Sequence, residues 1–337
     1  MTLPSVMQAV VVQRYEPGLS GLIVQSLPVP QPGPGQVLVQ MRAAPINPSD
    51  MMFVQGLYGF TKPAPVVAGF EGAGVVVAAG PGLLPRFWQG RRVTVAVQNT
   101  GDGTWAEYVC VPALRALPVP DSLSDEQAAM LLVNPLSAYA MIDLARKAGV
   151  KTILQTAAGS ALGRMLWRLG QRFGIEVAGI VRRTEQQAEL QQLGMRHLLN
   201  SSDPDFPQQL KEICDKLSIR LAYDSVGGEL TQQLAAALQP GAIIKVYGAL
   251  AMQAAAVNPA DLIFRKIRVE GFWLSTWIDQ VGLPGTVLAF RQVTRLVASE
   301  LSSTVRARYP IHQALDALRA YDAQMSGGKL LLVPGTP

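Results

Sequence analysis

The run Gln155, Thr156, Ala157, Ala158, Gly159, Ser160, Ala161, Leu162, Gly163 carries the first chemistry legible in this chain. It falls where a β-rich stretch gives way to a helical pattern. Small residues at such a junction let a diphosphate approach helix N-terminal N–H groups, which are unpaired and carry partial positive charge. About 20 residues further on, the next β-rich run ends in Arg182 and Arg183. A dinucleotide site for NAD generally has an acidic residue there, accepting from the ribose 2′-hydroxyl. Two guanidinium groups instead attract a 2′-phosphate, through charge-assisted hydrogen bonds of about 1.5–3 kcal/mol each. The expected cofactor is therefore NADPH. Ala158, Gly159, Ser160, Ala161, Leu162 and Gly163 form its phosphate turn, Arg182 and Arg183 hold its ribose phosphate, and Tyr247 and Gly248, ending a later β-rich run, belong to the same site.

A metal reading fails on ligand count. The two histidines, His197 and His312, fall in separate segments, and the two cysteines, Cys110 and Cys214, are far apart. Catalytic zinc needs about three protein ligands plus water, and Glu71 stands without companions. The cysteines form no Cys-x-x-Cys pair or disulfide framework, so they read as buried thiols in a reducing, cytoplasmic setting. With 49% hydrophobic and 16% charged residues in 337, the chain can bury a large core. No run approaches the roughly 18 apolar residues of a spanning helix, and the first residues do not read as a signal peptide. The net charge of +5 comes without a dense basic run interleaved with aromatics, so nucleic acid is not the expected partner. That charge suits phosphate-bearing small ligands and ordinary surface alike.

These residues need elements to position them. Residues 7–120 read as short β-rich runs, 37–41, 74–78 and 93–97 among them, separated by Pro/Gly stretches at 28–35 and 80–85. This pattern predicts a compact antiparallel β domain. Ser124 is positioned to cap a helix that starts with acidic residues and continues through 128–133, and a second helix is expected over 138–148. Strands at 152–155, 177–181, around 198, 221–226 and 242–247 then alternate with helices at 162–173, 185–193, 206–217 and 230–238. That alternation predicts a doubly wound parallel sheet. Helices at 286–299 and 312–326 complete the chain, whose C-terminal part is expected to rejoin the first domain. The expected division is 1–121, 122–262 and 263–337.

Four segments make the chain resemble a known family. They are residues 47–59, with Asn47 and the Gly-Leu-Tyr-Gly element at Tyr58; Asn134, Pro135, Leu136, Ser137, Ala138, Tyr139; the 155–163 turn; and residues 262–265 through the run Gly271, Phe272, Trp273, Leu274, Ser275, Thr276, Trp277. In this order they resemble the zinc-free branch of the medium-chain dehydrogenase/reductase superfamily, and within it the mitochondrial-type 2-enoyl thioester reductases. The resemblance implies a GroES-like antiparallel β substrate domain joined to a Rossmann domain. Zinc-dependent relatives carry a Cys about where Asn47 stands and a His about where Phe70 stands. Related reductases often have Gly at the place of Ala161, so the cofactor's closest approach is expected to be slightly less open here.

The resemblance also implies roles. Tyr58 matches the family's catalytic tyrosine. Reduction of a conjugated thioester throws negative charge onto its carbonyl oxygen, and a neutral donor aimed there stabilises it. A phenol, with an ordinary pKa of about 10, keeps its proton at neutral pH and can donate. Asn47 could contact the nicotinamide ribose or the substrate, and Asn134 and Ser137 are expected to line the nicotinamide pocket. Phe272, Trp273 and Trp277 wall the acyl pocket, form a subunit interface or pack in the core. The expected function is NADPH-dependent reduction of a 2-enoyl thioester carried on CoA or acyl carrier protein. A quinone or enone reductase of the same fold, and a non-catalytic NADPH-binding protein, are the alternatives. A homodimer is expected, because the 271–277 segment resembles a strand used for subunit pairing in relatives.

Overall fold

The computed structural model describes residues 3–97 and 101–335 and divides into two compact units, one of residues 1–133 with 294–337 and one of residues 134–293.

In the first unit, Val6–Val12 pairs antiparallel with Leu22–Pro28 on one side and Val66–Val67 on the other. A larger sheet follows the order Val305–Pro310, Lys329–Val333, Gln36–Pro45, Glu71–Ala79, Arg92–Ala96, Ala116–Pro118, with Tyr108–Pro112 also pairing Gln36–Pro45. Valines dominate one buried face: Val37, Val39, Val76, Val93, Val95, Val109 and Val111 pack together. Their branched side chains suit a pleated, buried surface. The C-terminal strand Lys329–Val333 pairs with Gln36–Pro45 through Leu331 with Pro45 and Leu332 with Ala44. This pairing brings the end of the chain to the segment that leads into Asn47.

The second unit is a six-stranded parallel sheet in the order His197–Asn200, Glu176–Val181, Thr152–Gln155, Leu221–Asp224, Ile243–Val246, Arg268–Gly271. The inner strands Glu176–Val181, Thr152–Gln155 and Leu221–Asp224 are short and almost wholly buried, as expected where helices cover both faces. The helices Ala161–Phe173, Thr184–Gln192, Phe206–Lys216 and Gly228–Ala237 fall within a few residues of their expected positions. The strand order reverses between Thr152–Gln155 and Leu221–Asp224. In doubly wound sheets, ligands bind outside the carboxyl ends of the strands at such a switch point.

Two expectations need correction. The helix capped by Ser124, whose hydroxyl accepts from the Gln127 N–H, stops at Ala129 instead of running on to 133. The N–H groups of Leu132 and Val133 are taken by the Glu71 carboxylate, so the chain leaves the helix there. It starts a new one at Asn134–Lys147, earlier than expected. The 271–277 run is also not a strand throughout. Extended pairing ends with Arg268–Gly271, Phe272 N–H donates to Val246 O at 2.8 Å, and a helix begins at Leu274. Trp273 and Trp277 are one helical turn apart, and the Trp277 N–H donates to the Trp273 carbonyl. Their aromatic, strand-like composition is overridden by packing. That helix extends to Val297 with a break at Gly282, whose φ of 67° is left-handed, followed by Pro284.

Candidate functional site

Asn47 directly follows the Gln36–Pro45 strand and Ile46, and it stands at the N-cap of the helix Pro48–Val54. Proline at the first helical position suits this start, since its missing N–H would be unpaired there anyway. The Asn47 N–H donates to Asp50 Oδ2 at 2.8 Å, and the Phe70 N–H donates to Asp50 Oδ1 at 2.9 Å. One carboxylate therefore ties the helix entrance to the start of the Glu71–Ala79 strand. Asn47 Nδ2 donates to Glu71 Oε1 at 2.9 Å, and Lys329 Nζ donates to Asn47 Oδ1. An ammonium only donates and a carboxylate only accepts, so the amide between them has a single workable orientation. Glu71 Oε2 accepts from Leu132 N–H at 3.1 Å and Val133 N–H at 2.8 Å.

All four side chains are buried, and the three that titrate depart from their ordinary range. Burial pushes the Asp50 carboxyl up to about 7 against the pull of the Asn47 N–H, and nearby Glu71 adds to the rise. Burial likewise pushes Glu71 up, opposed by the Val133 N–H, Lys329 and Asn47. It pulls the Lys329 ammonium down, opposed by Glu71 and Asp50.

Tyr58 lies beyond this helix, half-buried, in the loop that Gly56 opens with a left-handed φ of 72°. Its ring meets Phe60 edge-on at 5.1 Å between centroids and tilts against Phe70 at 5.0 Å. Phe53 packs on both of these phenylalanines. Phe70 is therefore a platform for the Tyr58 ring. The donor set does not fit zinc. Where zinc-dependent relatives are expected to have thiolate and imidazole, this chain has an amide and a phenyl ring, and an ammonium that repels cations lies alongside. Among the described residues, no group of three or more His, Cys, Asp or Glu could hold a metal ion.

In the second unit, the 155–163 turn joins Thr152–Gln155 to Ala161–Phe173. Ala157 takes a positive φ of 48°, Ala158 is buried and donates its N–H to Ile180 O at 3.0 Å, and Ser160 caps the helix by accepting from Gly163 N–H at 3.0 Å. A Cβ on Gly163 would stand 2.7 Å from Ala157 O and 2.8 Å from Ala158 Cα, so only glycine lets helix and turn approach this closely. Ala161 and Leu162 form the partly exposed first turn of the helix.

Asp224, which carries no local signal in the sequence, organises the switch point. It is fully buried and accepts from Thr156 Oγ1 at 2.9 Å, Val226 N–H at 2.9 Å and Thr231 Oγ1 at 2.7 Å. Tyr247 and Gly248 follow the Ile243–Val246 strand. A Cβ on Gly248 would lie 2.8 Å from Ser225 O. Among the described residues neither the buried Tyr247 hydroxyl, which lies near Ser225, nor Gln155 Oε1 makes a full hydrogen bond, and burial pushes the Tyr247 phenol up to about 12 against the pull of Ser225. A glycine cradle and unmatched buried polar atoms at the carboxyl ends of these strands fit a bound dinucleotide.

The remaining site residues are also placed. Arg182 and Arg183 are exposed at the end of Glu176–Val181, with Arg183 at the N-cap of Thr184–Gln192. Asn134 and Ser137 share the first turn of Asn134–Lys147, Ser137 buried and Asn134 half-buried. Phe272 packs edge-on against Tyr223 at 6.5 Å. Trp277 is buried, donates its indole N–H to Asp143 Oδ2 at 3.3 Å and meets Tyr139 at 6.3 Å. Trp273 is exposed. Of the three readings open for these aromatics, core packing describes Trp277. Lys329, like Asp224, was missed: a lysine in an apolar C-terminal strand carries no local signal that its ammonium turns inward.

Comparison with known proteins follows the same two units. Residues 33–121 match the alcohol dehydrogenase GroES-like domain family and residues 161–290 the zinc-binding dehydrogenase family. The chain is 32% identical to the mitochondrial enoyl-[acyl-carrier-protein] reductase of Bos taurus, over 81% of this chain and 74% of that protein. The match to the Homo sapiens reductase of the same name is 34% identical and covers 72% of this chain but only 65% of that protein, less than two thirds of its length. It is 30% identical to the Homo sapiens synaptic vesicle membrane protein VAT-1 homolog, over 94% of this chain and 84% of that protein. Among solved structures, a putative NADPH:quinone reductase from Mesorhizobium loti superposes with a TM-score of 0.92 at 34% identity, covering 99% of this chain and all of that one.

Proposed function

Because the chain belongs to the medium-chain dehydrogenase/reductase superfamily, we propose that it is an NADPH-dependent oxidoreductase that reduces the carbon–carbon double bond of a 2-enoyl thioester. The observation that carries this reading is the Tyr58 ring packed on Phe60 and Phe70, in a unit whose donor set does not fit zinc. In this reading the electrophile is a neutral phenol.

NADPH, when bound, would supply a hydride to the β-carbon, and a proton taken up from solvent at the α-carbon would complete the reduction. The turn at Ala158, Gly159, Ser160, Ala161, Leu162 and Gly163 holds its diphosphate through helix N-terminal N–H groups. Arg182 and Arg183 hold the 2′-phosphate, while Tyr247, Gly248, Asn134 and Ser137 complete the cofactor site. Tyr58 donates a hydrogen bond to the thioester carbonyl oxygen, where negative charge develops, and a donor so placed is worth on the order of 10²–10³ in rate. Asn47 supports the reacting end, and Phe272 and Trp273 belong to the acyl pocket or a subunit interface. The carrier, CoA or acyl carrier protein, is a small-molecule or protein-borne thioester in either case.

A second reading, an NADPH:quinone or enone oxidoreductase, is favoured by the likeness to the Mesorhizobium loti protein. Crotonyl-CoA with NADPH separates the two. The enoyl reading expects rapid loss of nicotinamide absorbance and a loss of about a hundredfold in kcat for Tyr58→Phe. Turnover of quinones with none of enoyl thioesters would transfer the assignment to the second reading.

Two further parts of the proposal concern setting and assembly. Neither cysteine suits nucleophilic work, since burial pushes the Cys110 thiol up to about 11 and the Cys214 thiol up to about 12, in keeping with a reducing cytoplasm. No helix among the described residues is long and apolar enough to cross a membrane. A homodimer through the exposed edge strand Arg268–Gly271 belongs to the same proposal, because an unpaired strand edge is a template for pairing.

A further inference from the structure

Lys329 is a buried cation that the proposed reaction leaves unused. It opens the strand Lys329–Val333 and is 6% exposed. Burying an ammonium costs several kcal/mol unless it is paired and hydrogen-bonded, so lysine is almost never found inside without a partner. Here the partner is the Oδ1 atom of Asn47, with the Glu71 and Asp50 carboxylates nearby. The strand register fixes this approach, because Leu331 faces Pro45 and Leu332 faces Ala44, and the Ile46 N–H donates to Leu330 O at 3.0 Å.

We infer that Lys329 is a positioning residue for Asn47: its ammonium locks the amide with Oδ1 toward itself and Nδ2 toward Glu71, and so fixes the entrance to the segment that carries Tyr58. Without the ammonium, Asn47 Oδ1 keeps only the capping-box contact with the Asp50 backbone N–H, and the amide turns over more freely. The Glu71 and Asp50 carboxylates then share a buried site without a counterion. Asn47 is the N-cap residue of the Pro48–Val54 helix and its backbone N–H donates to Asp50 Oδ2; that helix leads through Gly56 into Tyr58, so a shift of Asn47 is transmitted to the donor. Misplacement of a donor by about 1 Å can cost on the order of a hundredfold in rate. The inference rests on the reading that Tyr58 and Asn47 serve the reaction.

The test uses the full chain with Lys329→Met, which keeps the aliphatic stem, and the charge-balanced Lys329→Met/Glu71→Gln. The expected result is a fall of at least tenfold in kcat for Lys329→Met, with KM for the acceptor and the NADPH dissociation constant within about threefold of wild type. In the double variant the melting temperature recovers in part, since the uncompensated buried charge is gone although the amide at position 71 has one acceptor fewer, but kcat does not recover, because Asn47 Oδ1 still lacks its ammonium. Recovery of kcat together with melting temperature would reduce Lys329 to a counterion of the fold and overturn the inference, as would an unchanged kcat in Lys329→Met.

A readout independent of turnover separates this from failure of the substrate assignment. In protein labelled with 15N-asparagine, the Asn47 side-chain NH₂ signal, identified by its loss in Asn47→Ala, should be sharp and slow to exchange with solvent. Lys329→Met should shift it and speed its exchange at least tenfold. An unmoved signal sinks the inference whatever acceptor the wild-type protein reduces. A moved signal and a kcat loss with a quinone, but no turnover of crotonyl-CoA, sustain it while the thioester reading falls.

Discussion

The Thr156 hydroxyl donates to Asp224 Oδ1 across 2.9 Å, linking the carboxyl ends of the two central strands where the order of the parallel sheet reverses. The same carboxylate accepts from Val226 N–H, Gly227 N–H and Thr231 Oγ1, and the Ser225 N–H donates back to Thr156 Oγ1 at 2.8 Å. One buried acid thus satisfies the backbone of two turns that face the proposed cofactor. Removing it with Asp224→Ala orphans several buried donors, each costing about 1–3 kcal/mol. The expected loss is roughly 3 kcal/mol or more of unfolding free energy, read by urea titration of the ligand-free protein. A loss below about 1 kcal/mol would mean that water replaces the carboxylate readily and that Asp224 does not organise these turns.

The two glycines of the 155–163 turn have different duties. A Cβ on Gly163 runs into Ala157 O and Ala158 Cα, both backbone, so Gly163→Ala must push helix and turn apart. A Cβ on Gly159 meets first the end of the Gln186 side chain, at 3.0 Å, which can swing away. Gly163→Ala should therefore lower the melting temperature by several degrees and weaken NADPH at least tenfold, about 1.4 kcal/mol. Gly159→Ala should leave the melting temperature nearly unchanged. Its effect is confined to cofactor affinity, measured by nicotinamide fluorescence. Equal melting temperatures for the two variants would show that the turn yields as easily as a side chain.

Arg182 and Arg183 stand exposed at the end of the Glu176–Val181 strand. If they hold a 2′-phosphate, Arg182→Ala/Arg183→Ala removes charge-assisted bonds of about 1.5–3 kcal/mol each from NADPH and none from NADH. The ratio of the NADH to the NADPH dissociation constant should fall by at least tenfold, and raising the salt concentration in the wild-type protein should move it the same way. Parallel losses for both cofactors would remove the 2′-phosphate assignment.

The sequence disclosed the alternation that builds the parallel sheet, the position of the small-residue turn at 155–163 and the arginines after the second strand. These features are local, written in apolar periodicity and small residues at one junction. The helix break at Ala129 was not legible, because its cause is Glu71, a residue more than fifty positions earlier whose carboxylate takes the Leu132 and Val133 N–H groups. Lys329 and Asp224 were hidden for the same reason. Each is a charged residue in or ending a short apolar strand, and only the register of a distant partner strand decides that it points inward. Trp273 and Trp277 depart from expectation in the opposite sense. Strand-forming residue types spaced four apart fitted one face of a helix, and the helix is what formed.

Asp50 gives the cluster around Asn47 a pH signature. Burial raises its carboxyl to about 7, above the ordinary value near 3.9 that it regains on unfolding. The folded chain therefore binds this proton more tightly than the unfolded chain. Its stabilising contribution is complete below about pH 4 and is lost as pH rises through about 7. Asp50→Asn cannot titrate, and its amide can accept only one of the two N–H groups, from Asn47 and Phe70, that the carboxylate receives. The variant should be less stable than wild type at acid pH, and the gap between their melting temperatures should narrow as pH is raised from about 4 to 7. A gap that widens over the same range would mean that Lys329 holds Asp50 ionised. The proton would then reside elsewhere in the Asn47, Glu71 and Lys329 network, and the direction of the Asp50 shift would have to be reversed.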